Sequence, residues 1–205
     1  GVEYADVIES LARRRCAEVF ATPAFPADRL FVNVQPLSGA PANLAVYAAF
    51  MKPYQGKLLA LRLDHGGHLT HGSPVSVTGM WWEVQHYGVN ERDVIDMDAV
   101  RRQALEFRPD ILLCGYTAYP RTIDFAAFGE IAREVGAISL GDVSHIAGLI
   151  AGGAHPSPFP HIDVVTFTMA LYGIVRLPAI PPQGEVNRVG LRSVLEGLHF
   201  LRTRR

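Results

Sequence analysis

The feature that most constrains this chain is an alternation. Short, continuously apolar runs, KLLALRL (57–63), DILLCGY (110–116), AISLGDV (137–143) and DVVTFTM (163–169), alternate with stretches whose apolar residues recur at helical spacing. A strand that is apolar on both sides must be covered on both sides. The reading is therefore an α/β fold, a mainly parallel sheet with helices on both faces. LFVNV (30–34) and, more weakly, WEVQHYGV (82–89) read as further strands. Residues 3–20 form a predicted helix with Tyr4, Ile8, Leu11, Ala12, Val19 and Phe20 on its apolar side. Residues 42–51 form another. Asp96 is placed to cap a helix over 97–107. Asp124 is placed to cap one whose inner face is Phe125, Phe128, Ile131 and Val135.

The character changes after Met169. LPAIPPQGEVN is rich in proline and has no strong period, and VGLRSVLEGLHFL looks helical again. The expectation is a large domain over 1–169, incomplete at its N-terminus and after 169, and a fragment of a small C-terminal domain over 170–205. Charge narrows the function classes. Nineteen basic and 20 acidic residues leave a net charge of -1. There is no basic field to hold nucleic acid or an anionic membrane surface. No window reaches the length of a membrane span, and no secretory leader is read. Two cysteines, Cys16 and Cys114, make no disulfide framework, so a cytoplasmic location is expected.

Polar candidates cluster where strands end, which is where ligands sit in such sheets. In QPLSGAPAN, Ser38, Gly39 and the amides after them lie at a helix start, either a phosphate cradle or a plain strand–helix turn. In GDVSHIAG, Asp142 ends a very apolar strand. It needs a partner, such as a cationic heteroaromatic nitrogen, or it is a helix cap. His145 is a ligand candidate or a hydrogen-bonded core histidine. In LRLDHGGHLTHGS, His65, His68 and His71, with Asp64, could hold a metal, although their spacing is not that of a helical zinc pair. One imidazole could instead lie flat on a flat ligand, with Gly66 and Gly67 letting the backbone come close.

Taken together, GVEYADVIESLARRRCAEVF, NVQPLSGAPAN, DHGGHLTHGSPVS, GYTAYPRTIDF and GDVSHIAGLIAGGAHPSPFPHIDVVTFTM resemble serine hydroxymethyltransferase over residues 1–169. That family comprises pyridoxal-phosphate enzymes of the aspartate-aminotransferase fold type. The resemblance implies serine–glycine interconversion with tetrahydrofolate as one-carbon acceptor, and a homodimer with shared active sites. It implies that Ser38, Gly39 and Thr168 hold the cofactor phosphate and that His68 stacks on the ring. Thr117 would lie near the phenolic oxygen, and His145 near the ring or its phenolic side. Asp142 would pair with the ring nitrogen. Leu63, Gly67 and Leu69 would line the folate site. Arg192 would grip the substrate carboxylate, with Arg188 as runner-up. Catalytic roles fall to His68, Thr117 and Asp142, and no metal is implied.

Two departures stand out. The family usually has a serine at the position of Ala40. After TFTM it continues with the lysine that binds the cofactor covalently, whereas here Ala170, Leu171 and Tyr172 follow. The only lysines are Lys52 and Lys57. The alternatives to the enzyme are a non-catalytic homologue that binds the cofactor or a partner subunit and, more distantly, a metal-dependent hydrolase built on His65, His68 and His71.

Overall fold

The structure is a computed structural model, and it describes residues 3–168. Five parallel strands form one sheet: β1 (Lys57–Leu61), β2 (Glu83–Tyr87), β3 (Ile111–Gly115), β4 (Ile138–Asp142) and β5 (Val164–Thr166). Their order is β2-β1-β3-β4-β5. The helices are α1 (Glu3–Phe20), α2 (Gly39–Phe50), α3 (Val77–Trp81), α4 (Met97–Phe107), α5 (Phe125–Val135) and α6 (Ala147–Ala151).

The pleat explains why the strands are apolar throughout. Successive side chains point to opposite faces. Leu58 and Ala60 of β1, Ile111 and Leu113 of β3 and Leu140 of β4 meet Tyr47 of α2, with Met51 just after that helix and Trp82. Leu59, Leu61, Leu112 and Cys114 face the other way, against Cys16 and Phe20 of α1, Val100, Ala104 and Phe107 of α4, and Phe128 and Ile131 of α5. Both faces are thus covered, as the alternation requires.

The caps fall where the acids predict them. Asp96 Oδ1 accepts from the amides of Asp98 (3.0 Å) and Ala99 (3.2 Å), and Asp124 Oδ1 accepts from that of Ala127 (3.0 Å). Each replaces a bond that the first helical turn cannot make internally.

Two expectations need correction. Residues 30–34 are extended but form no strand. Leu30 and Val32 pack inward, Phe31 stays 86% exposed, and the Arg13 side chain donates to the Val32 carbonyl at 2.8 Å. The period-2 pattern reports a half-buried extended segment lying against α1, with no ladder partner among the described residues. The strand read over 163–169 is paired only over Val164–Thr166. The α1 helix forms over the expected residues, with the C-terminal part of its length buried at Cys16, Ala17 and Phe20 while Tyr4 and Ile8 are 59% and 67% exposed. The expected small domain over 170–205, with Arg188 and Arg192, lies outside the described residues.

Leu113 is fully buried at the centre of the sheet. Leu113→Ala should cost about 2–5 kcal/mol, the range for truncating a buried leucine. Urea unfolding of the two chains checks this, and a loss under 1 kcal/mol would contradict the packing described.

Candidate functional site

The chain leaves β1 outward to β2 and returns to the other side of β1 for β3. Strand order therefore reverses beside β1, and the crevice beyond the carboxyl ends at such a point is the natural ligand site. Three connections open there: residues 62–72 after β1, 116–119 after β3 and 143–146 after β4.

Asp142, the last residue of β4, is at the centre. It is 6% exposed and its carboxylate accepts four hydrogen bonds. Oδ1 takes the Ser144 amide (3.2 Å) and hydroxyl (2.7 Å). Oδ2 takes Asn43 Nδ2 (2.8 Å) and His71 Nε2 (3.0 Å). The His71 tautomer follows from its other nitrogen. Nδ1 accepts the His68 amide at 3.2 Å, so the ring proton is on Nε2 and points at Asp142. The pair is a neutral imidazole donating to an anion rather than an ion pair. Burial alone would raise the Asp142 carboxyl, but the bonds from His71, Ser144 and Asn43 outweigh it and hold the group well below the usual carboxylate range. The site therefore presents a buried negative charge.

Asn43 and Tyr47 lie one turn apart on α2 and both point into the sheet. Tyr47 Oη donates to the Thr70 carbonyl (2.9 Å), and Asn43 Oδ1 accepts from Thr166 Oγ1 (2.6 Å). These bonds fix α2 against the loop after β1 and against β5. The N-terminus of α2 is thereby set at the same end of the sheet. Ser38 is its N-cap but makes no side-chain capping bond. Pro41 has no amide hydrogen, so the Gly39 and Ala40 amides are the orphan donors of the first turn, with no acidic residue beside them. A Cβ on Gly39 would lie 2.9 Å from Thr168 Oγ1 and 3.4 Å from Ser144 Oγ. The missing side chain thus keeps a small space open between α2 and the end of β5.

The two glycines of the histidine loop do something other than admit a ligand. Gly66 has φ +101°, and a Cβ there would meet the Tyr119 amide at 2.6 Å. A Cβ on Gly67 would meet the Leu61 carbonyl at 2.3 Å. The close approach is to the chain itself, and it folds the loop back so that His68 and His71 face Asp142. The three histidines do not converge. His65 Nδ1 accepts the Val89 amide (3.0 Å), while the His68 and His71 rings lie 5.7 Å apart. Asp64 lies on the surface, paired with Arg62 at 2.6 Å. Among the described residues no three His, Cys, Asp or Glu side chains are grouped to hold a metal.

His68 is half-buried and His145 is exposed near it. The Thr117 amide donates to the Gly66 carbonyl (2.7 Å), and its side chain is exposed. Leu63 and Leu69, on the same loop as His68, are 50% and 47% exposed. Sequence reasoning missed Asn43, Thr70, Ser144 and Thr166, and it assigned His71 only to a metal. A signal for Asn43 was present: in GAPANLAVYAAF it and Tyr47 are the only side chains with hydrogen-bonding groups, and they are four residues apart.

A parallel α/β sheet with an open helix N-terminus and a buried carboxylate at the same end has the form of a ligand-binding domain of this architecture. The comparisons agree with that class. The family model described as serine hydroxymethyltransferase matches residues 1–173. A serine hydroxymethyltransferase of Prochlorococcus marinus (strain MIT 9313) is 55% identical over 170 residues, 82% of this chain and 38% of its own length. Those of Desulfotalea psychrophila and Nostoc punctiforme are each 51% identical, over 82% of this chain and 38% of theirs. The chain belongs to the serine hydroxymethyltransferase family. It spans about two fifths of the length of these relatives.

Because the folded-state carboxyl of Asp142 is depressed, its contribution to stability is present above the unfolded value. It is lost as pH falls through that value toward the folded one. Between pH 5 and pH 3 the unaltered chain should lose about 1 kcal/mol more stability than Asp142→Asn, given an unfolded carboxyl near 4. Urea midpoints at the two pH values measure this, and equal losses would show that the carboxylate is not depressed.

Proposed function

We propose that this site serves the serine–glycine interconversion of its family, with pyridoxal 5'-phosphate as cofactor and tetrahydrofolate as one-carbon acceptor. The observation that carries the reading is the buried anionic Asp142, bonded to His71, whose ring lies 5.7 Å from that of His68. The residues fit the cofactor. Gly39 leaves a space that a Cβ would fill, next to the orphan amides of α2, and Ser38 and Thr168 add hydroxyls to a phosphate cradle. Asp142 is a suitable counter-charge for a protonated ring nitrogen.

When bound, pyridoxal phosphate supplies the electron sink that lets a bond at the amino-acid α-carbon break heterolytically. The chain's own residues bind and orient. Asp142 would hold a proton on the ring nitrogen, because its charge is buried and cannot be quenched by solvent. His68 would cover one face of the ring, with Thr117 and His145 toward its edge. Leu63 and Leu69, with the Gly67 backbone, offer apolar surface for the folate. Arg192 or Arg188 takes the substrate carboxylate; both lie outside the described residues.

The assembly is a homodimer with shared active sites, a reading supported by the exposed apolar side chains of Tyr4, Val7, Ile8, Phe31 and Leu37. A cytoplasmic location is supported by two buried free thiols, Cys16 and Cys114. No described helix is long and apolar enough to cross a membrane.

The alternative, a homologue that binds without turnover, is not favoured by the family match, and it turns on where the two lysines of this chain lie. Lys57 opens β1 and donates to the Phe107 carbonyl at 3.3 Å, at the amino end of the sheet. Asp142 closes β4, a strand length away, about 13 Å. Lys52 follows the far end of α2, about 18 Å of helix from Gly39. Neither reaches the site.

The 205-residue chain should bind pyridoxal 5'-phosphate reversibly. Gly39→Val should weaken that binding about tenfold or more, which corresponds to 1.4 kcal/mol. Absorbance titration measures both, and borohydride reduction with mass spectrometry should find no site-specific adduct. Absence of any binding would remove the cofactor reading. An adduct on Lys52 or Lys57 in the folded site would overturn the account of the lysines.

A further inference from the structure

Asn43 has so far been given only a structural role, as a donor to Asp142 and a tie to β5, yet it is 1% exposed and all of its hydrogen-bonding groups are used. One Nδ2 hydrogen goes to Asp142 Oδ2 (2.8 Å) and the other to Thr70 Oγ1 (3.0 Å), while Oδ1 accepts from Thr166 Oγ1 (2.6 Å). The amide has one workable orientation. Turned over, its carbonyl would face the Asp142 carboxylate, acceptor against acceptor.

That orientation propagates. With Thr70 Oγ1 accepting from Asn43, its own proton must go elsewhere. The acceptor within reach is His68 Nδ1, at 2.7 Å. The same nitrogen accepts the Thr70 amide at 3.2 Å, so it carries a lone pair and the ring proton is on Nε2. Proton directions thus run in one sense, from Asn43 through the Thr70 hydroxyl to His68. They are set by the charge on Asp142.

We propose that Asn43 is a positioning residue that ties the ionised state of Asp142 to the neutral, Nε2-protonated form of His68. The inference rests on the cofactor reading for its purpose. A site with one buried negative charge and an uncharged imidazole beside it matches a ligand ring bearing one positive charge. A protonated His68 would cancel that match. Protonating Nδ1 would require the Thr70 hydroxyl to turn away and would leave the Thr70 amide unpaired.

The charged and titratable groups that face His68 are His71, Asp142 and His145. Burial of the ring holds it below the usual imidazole value, against the opposing pull of the Asp142 charge. The Asn43–Thr70 arrangement acts in the same direction.

The test uses the full chain labelled with 15N in its imidazoles, with the His68 signals identified by their loss in His68→Gln. Long-range proton–nitrogen spectra should show the His68 proton on Nε2 at neutral pH. In Asn43→Ala the ring should become a mixture of tautomers, and its protonation midpoint should rise by about half a unit or more, as a lost hydrogen-bond bias allows. Thr70→Val should do the same, and Thr70→Ser should restore the original pattern. A folded Asn43→Ala with an unchanged His68 spectrum overturns the proposal, as does a proton on Nδ1 in the unaltered chain. Where Asn43→Ala does not fold, the Thr70 pair decides, and identical spectra from valine and serine overturn it. Pyridoxal 5'-phosphate titration of the unaltered chain is scored separately. Failure to bind removes the functional reading while the tautomer result stands, and binding with an unresponsive His68 removes this inference alone.

Discussion

The rest of the domain is arranged around one buried charge. An ionised carboxylate inside a protein costs several kcal/mol unless it is fully hydrogen-bonded. Asp142 meets that condition with donors from three places: Ser144 two residues on, His71 on the loop after β1, and Asn43 on α2. Each donor imposes a demand. His71 can reach only if the loop turns back at Gly66 and Gly67. Asn43 can reach only if α2 lies across the β1–β3–β4 face, which Tyr47 secures through the Thr70 carbonyl. Thr166 of β5 then closes the set by donating to Asn43. The position of α2, and with it the helix N-terminus at Ser38 and Gly39, follows from satisfying Asp142.

This explains which parts were legible in the sequence. Element type depends on local period and caps. The α4 and α5 helices, with Asp96 and Asp124, and the strands β1, β3 and β4 were readable for that reason. The fold class followed from strands apolar on both faces. Residues 30–34 misled because period 2 records alternating burial, and burial against α1 produces it as well as a ladder does. The α1 helix was legible from its spacing, which marks an apolar face without saying what covers it.

The site was legible as single residues and illegible as a network. That Asp142 needed a partner could be argued from burial alone. Its partners could not be, because Asn43 is 99 residues away in sequence and His71 is 71. The histidine loop makes the same point. Three imidazoles at equal spacing invited a common role, yet the structure gives each a different one. His65 accepts from Val89, His68 stands at the edge of the site, and His71 serves Asp142. Spacing in a glycine-containing loop carries no fixed direction, unlike spacing on a helix or strand.

The remaining step concerns what the site owes to a lysine. The features that would recognise the cofactor without a covalent bond are the α2 amides, Gly39, the Asp142 carboxylate and the His68 ring. They are held by backbone turns and buried bonds among residues 38–168. No lysine takes part in any of these contacts, and the two in the chain lie at the far ends of β1 and α2. Under the proposed cofactor reading, recognition and covalent capture are therefore physically separable in this fold. The first is a property of the sheet ends and can persist in a chain that lacks the second. Covalent capture adds an amine to a pocket whose charge and shape are already determined, and a buried carboxylate with four donors needs no such amine to remain ionised.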